Sequence, residues 1–452
     1  MTGLPLIIAF VIAVILMIMA ISKFKVHPFL SIMGVSLLLA LVAGLPLTSI
    51  ADVIGAGFSG TFSSIGIVII LGAFIGSVLE STGAALKLAD MVIKLVGKKN
   101  PELAIELMGW VVSIPVFCDS GFVILDPIRR ALVRRTGVSS VAMTVALSTG
   151  LYISHVFIPP TPGPIAAAST LGIGDSLLLV MGLGLLCSIF PLIAGLVYAK
   201  FIGKKVKSSD ETVDNGEVVK TYEELVAEYG KLPGGVNALA PLLVPVLFMA
   251  LGTIGSMAGL TGFFADLFTF LGKPVIALAV GTILAVVQLA TAKKMDKFYD
   301  LTNDTLKTVG PILFVTAAGG VLGKVISSTT MVQYIIDNAG FLMSMGIFFP
   351  FLMAAILKTA QGSSTVAITT TAGIMVPLME PMGLNSPVLA ALTVMAIGAG
   401  AMTVSHANDS YFWVVTNFGK MTPQQGYKTQ TMLTLVMGIA SIIGIFLVSL
   451  FF

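Results

Sequence analysis

The chain has 452 residues, 56% of them hydrophobic and only 10% charged, with a mean hydropathy of +1.03. A soluble domain carries roughly 25% charged residues, and a chain this apolar has too little polar surface to cover itself in water. That excludes a soluble enzyme, a nucleic-acid binder and a secreted scaffold, the net charge of +3 being set by basic residues in a membrane pattern, and leaves a polytopic membrane protein.

Residues 3–21 are apolar with no basic leader and read as a first span, not a cleavable signal. Spans follow at 28–47 and 58–80. Each is expected to be helical, because lipid offers no partner for an open backbone. The stretches 101–116 and 121–133 are short and flank a polar turn, Pro115 to Gly121, so 101–133 reads as a re-entrant hairpin. Its tip holds Cys118-Asp119-Ser120-Gly121. A carboxylate at membrane depth is costly unless paired, hydrated or protonated, which makes Asp119 a functional candidate, with Ser120 and Gly121 beside it. Asp126 differs: Arg129 and Arg130 follow it at helical spacing, as in a structural ion pair. Cys118 and Cys187 are too few for a disulfide framework and lack metal-ligand spacing, so neither metal nor cofactor is expected.

The run 137–172 is broken by Ser154-His155 and by Pro159-Pro160-Thr161-Pro162-Gly163-Pro164. Such prolines cannot continue a helix, and freed backbone groups are tolerable only where they line a cavity. Ser154 and Thr161 are candidate ligands, and the helix starting near Pro164 could turn its positive end to an anion. The span 175–200 closes a first unit, 1–201. Residues 202–236 form a cytoplasmic linker, the only extended polar stretch, with a short helix expected near Tyr222–Tyr229.

A second unit, 237–452, has spans at 237–258, 273–291 and 305–323, then a hairpin at 341–380. The tip of that hairpin reads Gln361-Gly362-Ser363-Ser364-Thr365, an amide and three hydroxyls suited to a polyhydroxylated ligand. Capping of the returning arm by Ser363 or Ser364 is compatible with binding. Lys358, one turn earlier, could aid an anion or pair with an acid. A broken span at 386–418 carries Ser405-His406-Ala407-Asn408-Asp409-Ser410, the densest polar cluster in the apolar sequence, and 429–452 is the last span.

With both hairpins re-entrant, the loops at 22–27, 81–100, 129–136, 200–236, 292–307 and 419–428 fall on one side. They hold 22 of the 25 Lys and Arg. Positive charge marks the cytoplasmic face, so ten spans and two hairpins place both termini outside. The halves also look alike. Gly76–Gly83 matches Gly323–Thr330 at four of eight positions, and Ser154-His155 recurs as Ser405-His406. Each half reads as three spans, a hairpin, a broken span and a final span. Five crossings reverse the second half, an inverted repeat of the kind secondary transporters use around a midplane site.

The segments Phe117–Phe122, Ser154–Pro164, Gln361–Val366 and Ser405–Ser410 resemble those of the gluconate permease family of proton symporters. That family lies within a larger ion-transporter superfamily that includes dicarboxylate and citrate carriers. The resemblance spans nearly the whole chain. It implies carriage of gluconate, a related sugar acid or D-serine, and a homodimer in the bacterial inner membrane, with a scaffold domain and a mobile hairpin domain.

The expected function is therefore import of a small hydroxylated carboxylate by proton symport, with no nucleic-acid partner. Neutral groups at Ser120, Gly121, Ser154, Thr161, Gln361, Gly362, Ser363, Ser364, Thr365, Ser405 and Asn408 would hold the substrate. Asp119, Asp409, His155 and His406 are the candidate proton carriers, since imidazole titrates near physiological pH and desolvation brings a carboxylate toward it. Three alternatives remain: sodium coupling on the same fold, a channel, and an intramembrane hydrolase built on Ser405, His406 and Asp409, although residues so close in sequence rarely form a nucleophile–base pair.

Overall fold

A computed structural model describes residues 3–96, 100–209, 232–257, 261–331, 334, 344–406 and 409–452. The described residues are helical or loop, with no strand. The Tyr222–Tyr229 helix, Asn408 and the start of the second hairpin at 341–343 lie outside them.

The first half contains α1 (Leu4–Ser22), α2 (Pro28–Ala43), α3 (Leu47–Ser81), α4 (Ala84–Val96), the hairpin arms α5 (Pro101–Val112) and α6 (Cys118–Thr136), the broken pair α7 (Ser140–Phe157) and α8 (Pro162–Thr170), and α9 (Leu177–Ile202). The second contains α10 (Gly235–Met257), α11 (Phe263–Gly272), α12 (Pro274–Thr291), α13 (Phe298–Ser327), the arms α14 (Phe348–Gln361) and α15 (Ser364–Met375), the broken pair α16 (Pro387–Met402) and α17 (Ser410–Phe418), and α18 (Met432–Ser449).

Local chemistry sets the breaks. Pro28, Pro101, Pro162, Pro274 and Pro387 stand in the first turns of their helices, where a missing N–H costs nothing. Ser139 and Ser386 cap α7 and α16 by accepting from the amides of Ala142 and Leu389. Gly362 takes φ +91° and turns the second hairpin, a conformation that side chains rarely adopt.

Among the described residues seven helical stretches are long and apolar enough to cross a membrane, and an eighth is Gly66–Ser81 with Ala84–Val92, bent by 78°. The other two of the ten expected spans are α2, a 16-residue helix, and the α16–α17 pair, whose break leaves neither piece at full length. At 1.5 Å per residue α2 is about 24 Å long, short of a bilayer core of about 30 Å. The sequence reading has no counterpart for α4 or α11, which fall in stretches taken as loops.

The packing pairs run in parallel through the two halves. α5 lies on α7 as α14 lies on α16; α7 lies on α9 as α16 lies on α18; α1 lies on α2 as α10 lies on α12. Across the halves α3 packs along α13, α9 along α18, and α7 against α16, while α6 meets α17 and α15 meets α8. The Gly76 and Gly323 positions that mark the sequence match are both close crossings. A Cβ on Gly76 would lie 2.0 Å from Pro115 O, and one on Gly323 would lie 2.6 Å from Gly373 O.

Basic loops meet in space. The Lys294 ammonium donates to Ser81 O at 2.7 Å, Arg129 and Arg130 donate to Phe418 O at 3.2 and 3.4 Å, and the Ser209 amide and hydroxyl both donate to Lys420 O. Ser81 and Lys294 thus share one edge, as do Arg129, Arg130, Ser209 and the end of α17 with Lys420 after it. Asp126 pairs with Arg129 at 2.6 Å and Arg130 at 2.7 Å, as its spacing predicts.

Candidate functional site

Both hairpin tips, the last turns of α7 and the second helix break contribute to one cavity of about 430 Å³, whereas Ile158, Pro159 and Pro160 of the first break line a separate apolar cavity. The first tip supplies Phe117, Cys118 and Asp119; the first broken span supplies Tyr152 and His155. The second tip supplies Gly362 through Val366, and the second break supplies Asp409, Ser410 and Tyr411. Pro311, Ile312 and Val315 of α13 and His27 before α2 close the remaining side.

Among the described residues four helices begin on this cavity: α2 at Pro28, α6 at Cys118, α15 at Ser364 and α17 at Ser410. Helix N-termini present free N–H groups and a partial positive charge, so their convergence favours an anion. Three of the four are capped by side chains, α2 by His27. The Ser363 hydroxyl accepts from Val366 N at 3.3 Å, and an Asp409 carboxylate oxygen accepts from Tyr411 N at 3.1 Å.

Asp409 is the centre of the polar network. Its Oδ2 takes the Lys358 ammonium at 2.6 Å, the Ser405 hydroxyl, and the Tyr152 hydroxyl at 3.5 Å. Lys358 is fully buried, donates also to Gly362 O, and lies 5.7 Å from the centre of the Tyr152 ring. A buried ion pair is stable only with near-complete hydrogen bonding, and Asp409 receives it from three elements. Asp119 is less well served: its Oδ1 is buried without a hydrogen-bond partner in the structure, and the Cys118 thiol stands 4.0 Å from Oδ2.

The candidate residues therefore separate. Asp119, Asp409, His155, Gly362, Ser363, Ser364 and Thr365 share the cavity wall. Ser120 faces a neighbouring cavity of about 270 Å³ with Glu80, Asp304 and Thr305. Gly121 packs on the Leu151 side chain. Ser154 donates to Trp110 O, and Thr161 to Ile158 O at 2.6 Å, so these hydroxyls hold backbone behind the wall. Ser405 braces Asp409, and His406 Nε2 lies 2.9 Å from Thr359 O. Gln361 ends α14 at the tip.

Sequence reasoning did not single out Tyr152, Tyr411 or His27. Tyr152 lies one helical turn before His155, a signal that was present. His27 reads as a loop residue, whereas it caps α2, with Nδ1 accepting from Phe29 N at 3.3 Å, and reaches the cavity edge.

The model of the GntP family permease matches residues 4–451. The chain belongs to the GntP permease family. This GntP permease is 34% identical to an uncharacterised permease of Haemophilus influenzae, over 92% of this chain and 86% of the relative. It is 30% identical to a low-affinity gluconate transporter of Escherichia coli, over 98% of each chain. A crystal structure of the YdaH transporter of Alcanivorax borkumensis matches with a TM-score of 0.65 at 15% identity, covering 94% of this chain and 97% of the other. That likeness speaks for the fold alone. Membership of a permease family removes the intramembrane-hydrolase alternative.

Proposed function

We propose that this GntP permease is a secondary active transporter importing gluconate, or a related small hydroxylated carboxylate, by proton symport with alternating access. The observation that carries the reading is the convergence of two hairpin tips, one from either half, with the end of α7 and the second helix break on a single cavity. The helix N-termini suit a carboxylate, and the hydroxyls of Ser363, Ser364 and Thr365 suit a hydroxylated tail. The gluconate transporters among its relatives support the substrate class. Asp409, Asp119 and His155, which face the cavity, are the proton carriers of choice, with His406 behind them.

We read 1–201 and 237–452 as inverted repeats joined by the 202–236 linker, a reading supported by the parallel packing pairs. The charge asymmetry of the loops supports termini outside a bacterial inner membrane, and the superfamily resemblance supports a homodimer.

The test is uptake by purified protein in proteoliposomes, with gluconate, other aldonates, glycerate and D-serine under imposed proton or sodium gradients. Gluconate is expected to accumulate with an inward proton gradient and to exchange in counterflow. Failure of every acid under both gradients would sink the reading; accumulation driven by sodium alone would replace the coupling ion; uptake without counterflow would indicate a channel. In the same assay Ser364→Ala and Thr365→Ala each remove one neutral hydrogen bond, worth about 0.5–1.5 kcal/mol, so affinity should fall about two- to tenfold. Unchanged affinity in both would move the substrate away from this tip.

A further inference from the structure

We propose that Lys358 and Asp409 form a charge switch in which protonation of Asp409 uncovers the Lys358 cation and the substrate carboxylate takes its place as counter-ion. The inference rests on the carrier reading above and assigns Lys358 the role of carboxylate receptor.

Lys358 stands directly behind the cavity wall, held by Asp409 Oδ2 at 2.6 Å and by Gly362 O. Both of those residues line the cavity. The lysine side chain is fully buried and that of Asp409 nearly so, at 0% and 6% exposure. Empty, the pair is neutral. A proton on Asp409 alone would leave a buried cation without a counter-ion, which is strongly unfavourable. A carboxylate entering alone would meet the Asp409 carboxylate, which is unfavourable by repulsion. Proton and carboxylate together restore neutrality: one proton arrives on Asp409, one negative charge arrives with the substrate, and the site has the same charge loaded and empty. The geometry thus gives a stoichiometry of one proton per carboxylate, and a loaded site no costlier to move through a low-dielectric barrier than an empty one.

Several other groups face Asp409. Asp119 and Cys118 reach the cavity from α6, Tyr152 and His155 from α7, Tyr411 from α17 and His27 from the start of α2, while His406 lies in the break, on Thr359 O. Asp409 differs in being ion-paired to a lysine that is sealed from water. In the neutral form it could still donate a hydrogen bond, and Ser405, Tyr152 and the Tyr411 amide remain around it.

By reciprocity the proton must tighten carboxylate binding by the same factor as carboxylate tightens the proton. The test is binding of gluconate and of glucitol, the uncharged polyol of the same length, to purified protein between about pH 5.5 and pH 8.5. Wild type should bind gluconate about tenfold or more tightly at the acid end, with glucitol insensitive to pH. Asp409→Asn fixes the switch in its uncovered form: gluconate affinity at the alkaline end should rise to the acid-end value and lose its slope. The double variant Lys358→Met with Asp409→Asn removes both charges of the pair, so it strands neither and should fold even where the single variant does not. It should bind gluconate no better than glucitol. A pH slope that persists in either variant, or tight gluconate binding without Lys358, would overturn the switch while leaving the carrier intact. Wild type that binds gluconate at no pH would overturn the carrier reading, and this inference with it.

Discussion

Replacing Asp126 by alanine is expected to destabilise the protein by about 3–5 kcal/mol, the cost of stranding a buried charge. Asp126 is 3% exposed and serves two guanidinium groups, of which Arg129 is fully buried. Arg129 also donates to the Ser140 hydroxyl at 2.7 Å and to Phe418 O at 3.2 Å. It therefore joins the returning arm of the first hairpin, the start of α7 and the end of α17. Without the carboxylate it remains a buried cation that has lost its 2.6 Å ion pair. Arg130→Ala is the contrast: its side chain is 18% exposed, and Asp126 keeps the Arg129 partner. A partly hydrated pair contributes about 1 kcal/mol or less. Thermal unfolding in detergent should show a large fall for Asp126→Ala and a small one for Arg130→Ala. Equal melting of the two would mean that Arg129 does not depend on this carboxylate.

That ion pair was legible in the sequence because both partners lie within one helical turn. So were the tips and breaks, since polar residues and prolines inside an apolar run mark where a helix cannot continue. The partner of Lys358 was not legible. Asp409 is 51 residues away, and only the seating of α14 against the second break brings the two together. The hydroxyls at Ser154 and Thr161 mark the other limit. Sequence places a hydroxyl near a break but does not say whether a neighbouring carbonyl takes it, as Trp110 O and Ile158 O do here. The bend after Ser81 was hidden for a related reason: α4 is amphipathic, with Lys87 and Asp90 paired at 3.5 Å along it, so its charges read as a loop.

Leucine at Gly373 should abolish transport without unfolding the protein. The two halves are alike in most of their packing pairs, yet they part company at one place. The second hairpin arm α15 lies tightly on α13, and among the described residues α6 has no comparable packing on α3; α3 instead holds α8 and the Pro115 turn. In a carrier built from inverted repeats, one access state is expected to show such a difference, and the opposite state to show it with the halves exchanged. On the proposed alternating-access reading, the α13–α15 crossing would be a contact made in one state and released in the other. It depends on small residues at Gly319, Gly323 and Gly373. A Cβ on Gly373 would sit 2.3 Å from Gly319 O, and one on Gly319 would sit 2.9 Å from Thr369 O. Backbone cannot yield as a flexible side chain can, so the penalty should reach or exceed the roughly 1–3 kcal/mol typical of overpacking. At about 1.4 kcal/mol per tenfold, that removes most of the population of this state. Uptake and counterflow should both fall to background, because each needs the site to reach both faces, while thermal stability changes little. Gly182→Leu, on an exposed face of α9 with nothing within 4 Å of the new Cβ, is the control and should transport normally. Normal transport by Gly373→Leu would mean that the cycle never requires this crossing, and that the asymmetry between the halves is a fixed feature of the fold instead of one half of a motion.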